Sequence, residues 1–275
     1  MAYAPGQPVQ GAPVQGAFAQ QVQRPPLAYS SDEESSSASS MDGKTPISQV
    51  PPEVRSGFIS KVYTLLSIQL AVTFGIALYM NTQLSRQWIL SHMTVYYVSA
   101  YGTLGLVLVV SCCCRKALRT FPVNYCYLAV LTIGISVMTG FVSSLYTTES
   151  VLLALATTSG VFLMLTAYAC ITKSDFTGLG PYLAAGLMAL MVLGLVISLF
   201  SFFTHTPVAG SPMQKVYAGL GVLLFTFYII YDTQMVVGGK KHEISVDDYV
   251  EATIELYLDV INMFMFLLEL MGSRD

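Results

Sequence analysis

Apolar residues occur along the chain in seven blocks, each about the length of a bilayer-spanning helix. Short polar stretches separate the blocks and contain most of the basic residues. This pattern predicts an all-α membrane protein with seven transmembrane helices, at about residues 58–80, 94–114, 121–144, 151–172, 181–204, 216–237 and 250–271. The composition agrees, since only 11% of the residues are charged, against roughly 25% in soluble domains.

Residues 1–50 have a different character. They are rich in Pro, Gln, Gly, Ala and Ser, and a five-residue segment beginning at Pro8 is repeated at Pro13. Such a segment cannot bury enough apolar surface to offset its ordering entropy. We therefore predict a disordered tail over residues 1–50, followed by a transmembrane domain over 51–275. Ser30 and Ser31 precede acidic residues and are candidate phosphorylation sites, the alternative being a plain solvated tail.

Basic residues in the short loops indicate the orientation of the helices. With a cytosolic N-terminus, Arg86, Lys215 and Arg274 fall on the opposite side. The cytosolic side then receives the larger set of basic residues, which are Arg55, Lys61, Arg115, Lys116, Arg119, Lys173, Lys240 and Lys241. No cleavable signal peptide precedes the first apolar block, so that block is expected to act as its own signal anchor. If the last block crosses fully, the C-terminus lies opposite the N-terminus; if it is re-entrant, both ends are cytosolic.

Three adjacent cysteines, Cys112, Cys113 and Cys114, close the second predicted span. Adjacent thiols do not have the spacing of a structural zinc site. Juxtamembrane cysteines can be palmitoylated, and the alternative is that they simply fill the end of a helix.

The most informative feature is a pair of carboxylates inside the last two apolar blocks, Asp232 and Asp259. A charged side chain near the bilayer centre costs at least about 2.5–3.5 kcal/mol, and such residues mark ion or proton pathways by default. If the two aspartates lie close together, they share one proton and titrate as a coupled pair. Carboxylate oxygens also suit Ca²⁺. The alternative is a structural role, with hydrogen bonds to neighbouring tyrosines or Asn262.

The last block places its strongly polar residues on one face. At about 100° per residue, the polar side chains fall within one arc of about 80°, which contains Glu251, Glu255, Asp259, Asn262 and Glu269. A helix of this kind is expected at the centre of a bundle rather than against lipid. We therefore predict that these residues line an ion pathway.

Basic residues are absent from the interiors of the predicted spans. Arg115, Lys116 and Arg119, between the second and third spans, are the candidate cationic partners of the aspartate pair. The alternative is that they anchor the turn at the membrane surface.

Other functional classes fit less well. Tyr231-Asp232 resembles the first motif of intramembrane aspartyl proteases, but Leu256-Tyr-Leu-Asp259 lacks the glycines of their second motif. A proton-coupled transporter would be expected to show inverted repeats or broken helices, which the sequence lacks. The three histidines form no metal-spaced pair. We expect no enzyme activity, no cofactor and no nucleic-acid partner.

Two late segments, Tyr231-Asp-Thr-Gln234 and Leu256-Tyr-Leu-Asp-Val-Ile-Asn-Met-Phe264, resemble the paired signature of the Bax-inhibitor-motif proteins, the Lifeguard branch especially. Residues 54–63 and 172–177 resemble further Lifeguard motifs. The resemblance implies seven helices with the last one central, and a pH-sensing pair at Asp232 and Asp259. It also implies Ca²⁺ leak from the endoplasmic reticulum or Golgi, and suppression of cell death. A non-conducting scaffold that regulates apoptosis through membrane-protein partners is the alternative.

Overall fold

The structure, a computed structural model, describes residues 46–113, 118–205 and 210–274. Short turns and 3-10 segments join the α-helices of these ranges, which are α1 (Pro52–Gln83), α2 (Arg86–Ser91), α3 (Met93–Cys113), α4 (Val123–Ser143), α5 (Thr148–Ile171), α6 (Gly180–Thr204), α7 (Pro212–Val237) and α8 (Tyr249–Met271). Within these ranges, six helical segments are long and apolar enough to cross a membrane, and they comprise α1, α3, α4, α5, α6 and α7. The chain is therefore an integral, multi-pass membrane protein, and the prediction of an all-α fold is confirmed.

The helix ends follow from local sequence. Pro52 and Pro212 occupy the first turns of α1 and α7, where proline loses no intrahelical hydrogen bond. The short helix α2 was not predicted; it begins after Ser85, whose side chain accepts a hydrogen bond from the backbone N–H of Trp88 at 3.2 Å. At 32 residues, α1 is about 48 Å long, which exceeds the roughly 30 Å hydrocarbon core of a bilayer.

The last helix, α8, is not among the six apolar segments because its carboxylates make it too polar. It nevertheless contacts α1, α4, α5 and α7, and Tyr257, Met263 and Phe264 are fully buried. These three residues belong to three separate hydrophobic clusters, which pack α8 against the helices around it.

Hydroxyl groups join α1, α4 and α8 within the apolar core. Thr73 Oγ1 on α1 lies 2.7 Å from the hydroxyl of Tyr257 on α8 and 2.9 Å from Ser136 Oγ on α4. One turn earlier, Gln69 Nε2 donates a hydrogen bond to Thr132 Oγ1 at 2.8 Å. Hydroxyl and amide side chains hydrogen-bond between membrane helices in this way because lipid offers them no other partner.

Candidate functional site

Asp232 on α7 and Asp259 on α8 meet inside the bundle. The two residues are only 6% and 5% exposed, and their carboxyl groups lie close enough to interact directly. An ionised carboxylate only accepts hydrogen bonds, so a bond between two carboxyls requires a proton on one of them. A hydrogen bond between α7 and α8 at this point therefore requires a proton on one of the two aspartates.

The surroundings of the pair are acidic and aromatic. Glu255, one turn before Asp259 on α8, is the third charged group that acts on the pair, and Tyr228 lies beside both aspartates. Asp259 Oδ2 is buried, and it has no hydrogen-bond partner among the N–H and O–H donors of the described residues. Two residues that we considered as structural partners have other contacts: Tyr257 bonds to Thr73, and Asn262 Nδ2 donates to the carbonyl oxygen of Leu258.

A cavity of about 250 Å³ opens beside the pair where α7 ends and α8 begins. We call it the acidic cavity, because five carboxylates are among its lining residues, which are Tyr231, Asp232, Met235, Glu243, Ile244, Ser245, Asp248, Glu251 and Glu255. Asp232 thus belongs both to the buried pair and to the cavity wall. Solvent cations that enter the cavity therefore encounter negative charge up to the position of the pair.

Apart from Asp259, the structure separates the predicted pathway residues into two groups. Glu251 and Glu255 line the acidic cavity. Glu269 is near the other end of α8, where it accepts a hydrogen bond from Gln214 Nε2 of α7, and Asn262 bonds within its own helix. Glu243 and Asp248 were missed by the sequence analysis, because they lie in the α7–α8 connection and have no helical period.

Arg119, one of the candidate partners of the aspartate pair, has a different contact. Its Nε and Nη2 both lie 2.7 Å from Asp248 Oδ1, so it pairs at the rim of the acidic cavity. The predicted contact with the aspartate pair does not form because Arg119 lies in the turn before α4, whereas Asp232 and Asp259 lie within helices. Arg115 and Lys116 lie outside the described residues.

Two of the predicted Lifeguard-like motifs meet at the same end of the bundle. Gln234, two residues after Asp232, accepts a hydrogen bond from the N–H of Phe176 at 2.8 Å and donates one to the carbonyl oxygen of Ser174 at 3.0 Å. Lys240 Nζ donates to the carbonyl oxygens of residues 172, 173 and 174 at 3.1, 3.2 and 3.1 Å. We call segments 172–177 and 238–243 together the loop clamp.

Asp175 completes the loop clamp. Its carboxylate accepts hydrogen bonds from the hydroxyl of Thr177 at 2.6 Å and from the backbone N–H of Lys241 at 3.1 Å. These bonds, that from the Thr177 hydroxyl above all, hold the pKa of the Asp175 carboxyl below its ordinary value. At the same end, Arg55 Nε donates to the carbonyl oxygen of Val237 at 2.9 Å. The clamp and Arg55 therefore fix the end of α7 that contains Asp232.

Cys112 and Cys113 are exposed at the end of α3, while Cys114, Ser30 and Ser31 lie outside the described residues. Within residues 46–113, 118–205 and 210–274, no group of three or more His, Cys, Asp or Glu side chains is arranged to hold a metal ion.

Comparison with known proteins identifies the family. The family model described as "Inhibitor of apoptosis-promoting Bax1" matches residues 55–275. Protein lifeguard 3 of Mus musculus is 33% identical over 91% of this chain and 80% of its own length, and that of Homo sapiens is 36% identical over 81% and 70%. Protein lifeguard 4 of Mus musculus is 37% identical over 80% of this chain and 86% of its own length. The family predicted from the Asp232 and Asp259 motifs is thereby confirmed, and the chain belongs to the Bax inhibitor family, in its Lifeguard branch.

Proposed function

We propose that this protein is a Ca²⁺-permeable leak pathway of intracellular membranes, gated by the proton that Asp232 and Asp259 share. The observation that carries the proposal is the pair of buried, adjacent carboxyl groups at the inner wall of the acidic cavity. A pathway for divalent cations needs oxygen ligands without strong, fixed coordination. Two carboxyls that alternate between protonated and charged forms meet this need.

The gate follows from the chemistry of the pair. With one shared proton, the hydrogen bond joins α7 to α8 and closes the inner end of the cavity. When the proton leaves, two negative charges remain in contact inside a medium of low dielectric, and their repulsion favours separation of the helices. An arriving Ca²⁺ offsets that repulsion. Ca²⁺ flux should therefore rise with pH.

We further propose that α8 is a seventh membrane-spanning helix at the centre of the bundle. Both of its ends lie beside the ends of the spanning helix α4: Arg119, before α4, contacts Asp248, and Thr147 N, after α4, donates to the carbonyl oxygen of Ser273 at 3.0 Å. A helix that reaches both ends of α4 crosses the same thickness. This geometry supports a full span rather than a re-entrant segment.

The family and the basic loops support a proposal about location and biological role. The family model describes an inhibitor of an apoptosis-promoting protein. We propose that the protein resides in the endoplasmic reticulum or Golgi with its N-terminus in the cytosol, as the basic loops favour. Leak through it lowers stored Ca²⁺, which reduces the Ca²⁺ available for release during cell death, and membrane proteins of the apoptotic pathway are its candidate partners.

Reconstitution tests the proposal. The purified full-length chain is inserted into phosphatidylcholine vesicles that contain a Ca²⁺-sensitive dye, and Ca²⁺ is added outside. We expect the dye signal to rise faster than in protein-free vesicles. Vesicles loaded with K⁺ are the control, because retention of their K⁺ excludes general leakiness. Ca²⁺ entry at the rate of protein-free vesicles would overturn the proposed channel and favour the non-conducting scaffold.

A further inference from the structure

A second cavity lies on the other side of the segment that begins α8. It is a groove of about 470 Å³, which we call the cationic groove, lined by Gly57, Phe58, Lys61, Arg119, Val246, Asp247 and Tyr249. Its two cationic side chains come from different elements, Lys61 from α1 and Arg119 from the turn before α4. The mechanism proposed above uses neither of them directly.

The cationic groove lies where helices begin or end, which is the level expected for lipid headgroups. Arg119 precedes the first turn of α4, and Tyr249 begins α8. Lys61 lies in the third turn of α1, and a long basic side chain near a helix end can extend to the membrane surface. Basic pockets between helices at this depth are suited to phosphorylated lipid headgroups.

Both cations are held in place by neighbours. Lys61 Nζ lies 3.4 Å from the centroid of the Tyr249 ring, and the hydroxyl of Tyr249 accepts a hydrogen bond from Asn124 Nδ2 at 2.6 Å. The guanidinium of Arg119 is oriented by Asp248, while its side chain remains 38% exposed. A positioned ammonium and a positioned guanidinium lose little conformational entropy when they bind a phosphate group.

We propose that the cationic groove binds the phosphorylated headgroup of an anionic membrane lipid, with Lys61 and Arg119 as the groups that contact its phosphate. The guanidinium offers a planar fork that matches phosphate oxygens, and the ammonium adds a point charge. Val246 and Tyr249, which are only partly buried, supply the apolar walls on which the glycerol and upper acyl chain pack.

The groove shares a wall with the acidic cavity, which gives lipid binding a consequence. Asp248, the partner of Arg119, also lines that cavity. A phosphate that binds Arg119 competes with Asp248 for the guanidinium, and the Asp248 carboxylate then adds its charge to the cavity. The binding claim itself does not depend on Ca²⁺ conduction.

Lipid retention tests this inference. The full-length protein is placed in phosphatidylcholine nanodiscs that contain a small fraction of phosphatidylinositol monophosphate, and the bound lipid is measured by native mass spectrometry. We expect Lys61→Gln and Arg119→Gln each to lower retention about tenfold, the loss of one charge-assisted contact. Asp247→Asn should raise retention, because it removes the carboxylate that faces the phosphate. Arg86→Gln and Lys215→Gln remove the same charge away from the groove and should leave retention unchanged.

Other results would overturn the inference. Equal losses in the two control variants would show general attraction to anionic lipid rather than a site, and unchanged retention in Lys61→Gln would remove the site. Displacement by soluble inositol monophosphate at the same concentration would show that the ligand is a free phosphate ester. If Arg119→Gln fails to fold, Arg119→Lys keeps the charge without the planar fork and should give a smaller loss. Each result is independent of whether the protein conducts Ca²⁺.

Discussion

The carboxyl groups of Asp232 on α7 and Asp259 on α8 lie against each other inside the bundle. Both residues are buried, and a hydrogen bond between two carboxyls requires a proton on one of them. We therefore expect the protonation state of this pair to affect how α7 and α8 pack. Beside the pair, the acidic cavity concentrates negative charge, and the loop clamp fixes the adjacent end of α7.

The first prediction concerns the loop clamp. Lys240→Gln should lower the free energy of unfolding by about 1 kcal/mol, because the Lys240 ammonium donates hydrogen bonds to three carbonyl oxygens. The loss is small because exposure of the ammonium to solvent offsets most of the energy of these bonds. Thermal unfolding of the purified protein in detergent measures the change.

Lys241→Gln is the matched control. It removes the same charge from the next residue, whose contact in the clamp is through its backbone N–H to Asp175. Its unfolding temperature should stay at that of the parent protein. An equal fall in both variants would show that loop charge, rather than the clamp, determines stability.

The second prediction concerns the turn after α7. Gly238 has a φ of +72°, and a Cβ at this position would collide with Cγ2 of the buried Ile47. Together with its ψ of −176°, this φ lies in a region that essentially only glycine adopts, so Gly238→Ala should cost at least about 1–3 kcal/mol.

Gly57→Ala provides the comparison. Gly57 lies within α1, and a Cβ there would meet no atom within 4 Å. Because alanine favours the helix over glycine by about 1 kcal/mol, this variant should be more stable than the parent. Destabilisation by both substitutions would contradict the described backbone.

The third prediction concerns the hydroxyl network between α1, α4 and α8. Thr73→Val keeps the shape of the side chain but removes the oxygen that contacts Tyr257 and Ser136. We expect a loss of about 1 kcal/mol, within the range measured for hydrogen bonds between membrane helices. Thr64→Val, at an exposed position of the same helix whose hydroxyl bonds only to its own backbone, should change stability by less than half as much.

Much of this architecture could be predicted from residue patterns, because a bilayer demands long apolar helices. The six apolar segments and the family follow from such patterns. The helical wheel also placed Glu251 and Glu255 on the face that lines the acidic cavity. The short helix α2 was missed, since six residues give too weak a periodicity.

Contacts between distant loops could not be predicted. Lys240 donates to backbone carbonyl oxygens in the segment that follows α5. Every residue has such an acceptor, so the sequence does not indicate which ones a lysine will bind. Arg119 was expected near the aspartates, yet it pairs with Asp248, because which loops approach one another depends on how the helices pack.

The shared proton is the centre of this account, and the pH dependence of Ca²⁺ entry into reconstituted vesicles tests it most directly. The parent protein should show flux that rises with pH through one transition. Asp232→Asn and Asp259→Asn should each flatten the profile, because an amide at either position leaves no pair to share a proton, while Asp175→Asn, outside the pair, should preserve the transition. A parent-like pH transition in both pair variants would contradict the gate.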